Sequence, residues 1–264
     1  MTPALPLSAS GQPPIAVARR AAGEARRIMR DGFGRVGVAG VKGRGNVVTE
    51  VDFAVEAAVT EILRNEYPSH AIMSEETAAS VRSDGWMWVV DPVDGTKNFS
   101  RGIPHFCFTL ALCYASEPMV ALTLHPLMDE EYAAVAGEGF TVNGRPARVA
   151  ECATVADATV AIDLGYDEAA GKRQLELASR LFPGMQSLRV SGSAALGTAY
   201  VAAGKWDLFV HADLQPWDVA AGLLLVREAG GVVTNHEGQR ATIYDRGVVA
   251  AGPSVHADFM RRTR

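Results

Sequence analysis

The densest chemistry in the chain lies in one run, Asp91-Pro92-Val93-Asp94-Gly95-Thr96-Lys97-Asn98-Phe99. It follows directly on Trp86 to Val90, an unbroken apolar stretch that reads as a buried strand. Ligands in open α/β sheets gather beyond the carboxyl ends of strands. Two carboxylates there, Asp91 and Asp94, separated by a rigid proline and one apolar residue, can point at one position. They supply hard anionic oxygens, and the Val93 carbonyl can add a neutral one. Mg2+ takes such donors, in near-octahedral geometry at roughly 2.0–2.1 Å, and usually keeps water. Gly95 and Thr96 then offer backbone N–H groups to a phosphate, above all if a helical turn starts there. An Asp-Pro turn or an Asp-Gly turn alone would be ordinary; the joined run is not.

Three further sets carry weaker signals. Ser74-Glu75-Glu76 follows the short strand expected at Ala71 to Met73, and alone it reads as an acidic first helical turn. Trp217-Asp218-Val219-Ala220-Ala221-Gly222, behind Pro216, puts Asp218 at the head of an apolar helix, as a ligand or as a first-turn charge. Ser191-Gly192-Ser193-Ala194-Ala195 is a helix entrance built from small residues. Ser193 suits an N-cap, and the missing bulk leaves room for a ligand or for close helix packing.

The elements that must position these residues follow from periodicity. Helical spacing runs from Ile15 to Met29, and Gly40 to Asn46 reads as a flexible glycine loop. A second helix is expected from Asp52, as N-cap, to before Pro68. His105 to Ala115 and Met119 to Leu124 are long β segments, continued by Glu131 to Ala136 and Phe140 to Val142, with Asn143-Gly144 as a turn. From Thr159 the texture alternates: strands at Thr159–Leu164, Gln186–Val190, Trp206–His211, Gly231–Thr234 and Arg246–Ala251, and helices at Glu168–Leu181, Ser193–Ala203, Trp217–Ala229 and the C-terminus. The expected architecture is layered α/β. Residues 1–14 form a loose N-terminal arm, 15–150 an α+β half with an antiparallel sheet and the metal motifs, and 151–264 an α/β half, together one compact unit.

Bulk properties restrict the function. The 264 residues are 48% hydrophobic with net charge −5 and pI ≈ 5.7. No basic patch suits nucleic acid or an anionic membrane, no transmembrane span stands out, and the N-terminus does not read as a signal peptide. The three cysteines, Cys107, Cys113 and Cys152, are too few and too odd in number for a disulfide framework, which fits a reducing, cytoplasmic setting.

Taken together, the order Glu-Glu, Asp-Pro-Val-Asp-Gly-Thr, Gly-Ser-Ala-Ala and Trp-Asp-x-Ala-Ala-Gly resembles the inositol monophosphatase family. The resemblance runs from about Lys42 to Gly231 and includes Val48-Thr49-Glu50-Val51-Asp52 and Asn143-Gly144-Arg145. It implies the αβαβα sandwich of the sugar phosphatases, a homodimer, lithium inhibition and two or three Mg2+ ions per subunit. By the same resemblance Glu75, Asp91 and the Val93 carbonyl hold one metal, and Asp91, Asp94 and Asp218 a second. A third would involve Glu75 and Asp52 through water. Thr96 and Glu75 orient the attacking water, with Asp52 in support. Asp94, Gly95, Thr96, Ser193, Ala194, Ala195, His211 and Asp218 face the phosphate or its alcohol, a small phosphorylated polyol or related metabolite.

Two positions depart from the family pattern. Asn46 closes the segment Lys42-Gly43-Arg44-Gly45-Asn46 where relatives often carry Asp. His211, seven residues before Asp218, stands where animal relatives carry Glu. His211 either contacts the substrate or is an exposed strand-end histidine, so the substrate is less determined than the reaction. Histidinol phosphatase, fructose bisphosphatase and bisphosphate nucleotidase activities stay open, as does a non-catalytic sugar-phosphate or metal-binding module. A haloacid dehalogenase-type mechanism would need Asp-x-Asp, one residue shorter than Asp91-Pro-Val-Asp94.

Overall fold

A computed structural model gives the structure of the protein; it describes residues 3–43, 46–77 and 79–263. The chain begins with helix α1 (Pro14–Gly32), a hairpin of β1 (Val38–Gly43) and β2 (Asn46–Thr49), and helix α2 (Glu50–Glu66). Strands β3 (Ala71–Ser74) and β4 (Trp86–Asp94) lead into the short helix α3 (Thr96–Ser100). A meander follows: β5 (Cys107–Tyr114), β6 (Glu117–His125), β7 (Glu130–Val135), β8 (Gly139–Val142) and β9 (Arg145–Pro146). The second half alternates through β10 (Thr159–Ile162), α4 (Glu168–Leu181), β11 (Ser187–Val190), α5 (Ala194–Ala202), β12 (Leu208–His211) and α6 (Pro216–Glu228). It closes with β13 (Val232–Thr234), β14 (Val248–Ala251) and α7 (Pro253–Thr263).

Strands β3 to β9 form a seven-stranded sheet in chain order, and a five-stranded sheet runs β11-β10-β12-β14-β13. Side-chain alternation on the large sheet builds two cores at once. Trp88, Val90, Leu110 and Leu122 face α1 and α2. Met87, Val89, Ala111 and Ala121 face the other way, onto α5 and α6. Those two helices also meet Ala161, Phe209 and Ala250 of the small sheet, so they lie between the sheets. The outer face of the small sheet, with Val160, Val210 and Val249, is covered by α4 and α7. The five layers are the expected αβαβα sandwich.

Helix α6 is apolar all round because it has no solvent face to serve; Leu223 and Leu225 are fully buried. Close contact with α5 requires Gly222. A Cβ there would lie 2.1 Å from Thr198 Oγ1 and 2.6 Å from its Cβ. Gly222→Ala is therefore expected to destabilise the protein by roughly 1–3 kcal/mol by overpacking, although alanine is the better helix former. Urea denaturation reads this directly; an unchanged midpoint would mean the two helices separate without cost.

The structure corrects three local expectations. Residues 3–13 are not a loose arm: Ala9 N–H donates to the Glu66 carbonyl (2.8 Å), Ser10 Oγ donates to Glu66 Oε2 (2.6 Å), and Leu5 packs on the first core. Gly40 to Gly43 and Asn46 belong to a β-hairpin, with Val41 paired to Val47, because pairing satisfies backbone groups that a glycine-rich sequence leaves undecided; Arg44 and Gly45 lie outside the described residues. Asp52 is not the N-cap of α2. Thr49 is, accepting from Val51 N–H, while Asp52 reaches back to accept from Thr49 N–H (2.9 Å) in a capping box. Among the described residues no helix is long and apolar enough to cross a membrane.

Candidate active site

The end of β4 is where the sheet stops being regular. Asp91 pairs with Thr109 and Asp94 with Cys107, so three steps on β4 oppose two on β5. In a regular strand, residues three apart point to opposite faces. The extra residue of this bulge brings both carboxylates to one side, and Pro92 is tolerated there because a bulge frees a ladder position. Directly after it, Gly95 takes φ +89°, and a Cβ would meet the carbonyl oxygens of Gly192 and His105 at 3.1 Å. Only glycine fits such a left-handed turn between two backbones. A helical turn then starts at Thr96.

Asp91, Asp94 and Asp218 converge: one carboxylate oxygen from each lies within 4.8 Å of the others. Each is held by its own neighbours. Asp91 accepts from Val93 N–H (3.0 Å). Asp94 accepts from the N–H groups of Ala194 (3.2 Å) and Ala195 (2.9 Å) and from the Ser193 hydroxyl, so it caps α5 from a distant strand. Asp218 is at the third position of α6 and accepts from Gln215 N–H (2.7 Å). Burial pushes the Asp91 carboxyl well above the usual carboxylate range, and the charges of Glu75, Asp94 and Asp218 add to the shift. Asp218 is raised for the same reasons, burial first and Asp94 next. Asp94 is raised to about 6 by burial, held back by Ser193 and Ala195.

Glu75 stands at the edge of this cluster in the turn after β3. Burial raises its carboxyl, and Lys42 opposes the rise with Nζ 2.9 Å from Oε1. Lys42 also pairs with Glu76, whose carboxyl burial pushes up to about 7. On the opposite flank the Thr96 hydroxyl lies 2.8 Å from the Val93 carbonyl and 3.0 Å from Asp52 Oδ1, its single proton shared between them. Asp52 is fully buried, and burial raises its carboxyl against the hydrogen bonds from Thr49 and Thr96.

Glu75, Asp91, Asp94, Thr96 and Asp218 border a cavity of about 490 Å3 that is also lined by Lys97, Asp163, Tyr166, Ser193, Ala194 and His211. The donor set is all oxygen and mostly anionic, with no cysteine or histidine among the converging carboxylates. Crowded carboxylates of this kind are satisfied by a hard divalent cation, which fits Mg2+.

The other residues expected at the substrate take the following places in the fold. Ala194 and Ala195 spend their N–H groups on Asp94, and Ala195 does not line the cavity. Ser193 makes no side-chain cap to α5, because Asp94 takes that position. His211 is not an exposed strand-end histidine; it is a 5% exposed wall residue at the end of β12. Its Nδ1 accepts from Asp213 N–H (3.0 Å), so the neutral ring carries its proton on Nε2. Burial lowers its pKa to about 4, which keeps it neutral at physiological pH.

Sequence reasoning passed over the braces. Asp163 accepts from the N–H groups of Ser191 (2.8 Å) and Gly192 (2.7 Å), fixing the entrance to α5. Asn98 donates to the carbonyls of His105 and Ser191, both at 2.8 Å. Asp213 accepts from Tyr166 and Asp167 N–H groups and pairs with Arg246. The sequence signals were Asn98 within the run after β4 and an Asp at a strand end, Asp163-Leu164-Gly165-Tyr166, neither given a role; nothing local marks Asp213 or Arg246.

Comparison with known proteins identifies the family and the fold. The model of the inositol monophosphatase family matches residues 11–264. The chain is 36% identical over 254 residues to inositol monophosphatase 2 of Solanum lycopersicum, covering 93% of this chain and 96% of that protein. It is 36% identical over 249 residues to the Nus factor SuhB of Salmonella typhimurium, covering 92% of each. The crystal structure of the extragenic suppressor protein suhB from Bartonella henselae superposes with a TM-score of 0.89 at 31% identity, covering 95% of this chain and 98% of that one.

Proposed function

The chain belongs to the inositol monophosphatase family, and from that premise we propose that it hydrolyses a compact phosphate monoester, such as an inositol 1-phosphate, with Mg2+. The observation that carries the proposal is the convergence of Asp91, Asp94 and Asp218 beside the Thr96–Asp52 pair. Asp91, Asp94, Asp218, Glu75 and the Val93 carbonyl would hold the metal ions. Mg2+ supplies Lewis acidity there, neutralising phosphate charge and acidifying water.

The chain's own residues do the rest. Thr96 Oγ1 accepts a hydrogen bond from the attacking water and passes its own proton toward Asp52 Oδ1. Asp52 is suited to receive it, since burial raises its basicity above that of an exposed carboxylate. The Gly95 turn, clamped between the His105 and Gly192 carbonyls, fixes the backbone beside the phosphate. Phosphoryl transfer needs positioning and charge neutralisation more than covalent help, so no phosphoenzyme enters the scheme. A homodimer, lithium inhibition and cytoplasmic residence belong to the same proposal through the family resemblance.

The direct test is Mg2+-dependent phosphate release, followed for one turnover in 18O-water. The label is expected in the phosphate, with Asp91 and Asp94 unlabelled and turnover abolished by chelation. A phosphorylated Asp91 or Asp94, trapped by acid quench during turnover, would replace this scheme with a covalent one of the dehalogenase type. Absence of any release across a panel of small monoesters would instead favour a binding module.

His211 sets the expectation for substrate choice. With Nδ1 taken by Asp213, it offers the leaving alcohol one donor and no acceptor. A carboxylate at this position accepts from two ring hydroxyls. His211→Glu is expected to raise kcat/KM for inositol 1-phosphate about tenfold relative to glycerol 2-phosphate, the order of one or two hydrogen bonds. Unchanged ratios would show that residue 211 never meets the substrate.

A further inference from the structure

A second cavity, of about 530 Å3, lies on the other side of the segment His211–Asp213, between α4, α7 and the loops around His236 and Arg246. Ala212 lines this cavity, whereas His211 and Asp213 line the first; Arg246 lines both. Its floor is apolar, with Leu177 and Phe259. Into that floor is set Gln174, a residue 2% exposed whose amide nitrogen is buried without a hydrogen-bond partner. A buried donor left unpaired costs on the order of 1–3 kcal/mol, so such a group points to something that completes it.

The charges around the cavity indicate what that is. Arg173 and Arg180 are two helical turns apart on α4, about 10 Å along its axis, with Gln174 and Leu177 between them. Neither guanidinium makes an ion pair or hydrogen bond among the described residues. Of the two acidic residues at the edge, Asp245 is already engaged by the Thr242 N–H and hydroxyl (2.7 Å each) and faces Asn235. Asp245 keeps its charge there, so the lining sets Glu237 and Asp245 against three arginines, Arg173, Arg180 and Arg246. Guanidinium and amide donors over an apolar floor suit an anionic head on a short apolar body.

We propose that this cavity binds a small organic anion, its phosphate or carboxylate head held by Arg173, Arg180 and the Gln174 amide, and that the occupant draws Arg246 away from Asp213. Asp213 is the brace of the neighbouring active-site wall. Its carboxylate accepts from Tyr166 (2.9 Å) and Asp167 (2.8 Å) N–H groups, and its own N–H donates to His211. Arg246 neutralises that carboxylate. An anion that competes for Arg246 loosens Tyr166 and His211 together and slows turnover without entering the active site.

Sulfate and acetate are the probes, since neither is a substrate or product and they separate phosphate-like from carboxylate heads. The metal-free protein isolates the binding event, because the crowded carboxylates of the first cavity then repel anions. In NMR titrations, saturable shifts are expected at the Gln174 side-chain amide and the α4 backbone, and the tighter of the two probes identifies the head group. The double variant Arg173→Gln/Arg180→Gln should weaken that binding at least tenfold while leaving kcat unchanged in anion-free buffer. With Mg2+ and glycerol 2-phosphate, the better probe should lower kcat of the wild type and not of the double variant. Shifts confined to Gly95, Thr96 and Ala194, or equal affinity in the double variant, would overturn the site. An effect on KM alone, equal in both proteins, would overturn its link to the active site.

Discussion

Asp94→Asn is expected to fold and to lose about 10²–10³ in kcat, the scale on which a preorganised electrostatic element of a catalytic site acts. The carboxylate has two functions that the substitution separates. Toward the cavity it is one of three converging anions. Toward α5 it accepts from Ala194, Ala195 and Ser193, at the helix end where negative charge is favoured. The asparagine carbonyl retains part of the second function and none of the first. In the metal-free protein the loss at α5 is offset by relief of repulsion with Asp91 and Asp218, so Tm should stay within a few degrees of wild type. The increase in Tm that Mg2+ gives the wild type by binding the native state should shrink. Near wild-type turnover at saturating Mg2+ would remove Asp94 from the metal ligands.

Thr96→Val is the second large effect, expected at roughly 10²–10⁴ in kcat, the range of a positioned acid–base group. Valine fills nearly the same space but breaks the connection between the cavity and Asp52 Oδ1. KM should change little, because the hydroxyl acts on water and not on the bound ester. Thr96→Ser should restore most of the rate. Changing Asp52 itself would be harder to interpret, since it also caps α2 through Thr49. A kcat within a few-fold of wild type for Thr96→Val would move the proton acceptor elsewhere, with Glu75 the next group to change.

The sequence by itself determined the converging carboxylates of the candidate site and the elements that bear them. Asp91-Pro92-Val93-Asp94-Gly95-Thr96 is local chemistry at the end of a local apolar run, and both survive folding unchanged. The apolar runs of β4 to β6 and the helical period of α4 are equally local, and the strands and helices of the second half fall close to where the sequence pattern puts them. Helix α6 was legible as an apolar helix, and the structure buries it between the two sheets.

Tertiary structure decided what those residues touch. The bulge that turns Asp91 and Asp94 to one face depends on the register of β5, which no residue of β4 encodes alone. Asp94 capping α5, Asp163 bracing Ser191 and Gly192, and Arg246 holding Asp213 join segments far apart in the chain. Gly40 to Gly43 and Asn46 read as part of a loop and became paired strands, and residues 3–13 read as free and became docked. In both cases the partner is a backbone or carboxylate group whose proximity exists only after folding. Periodicity records which face of an element is apolar; it carries no record of which distant donor will satisfy a buried oxygen, because that pairing is a property of three-dimensional neighbours.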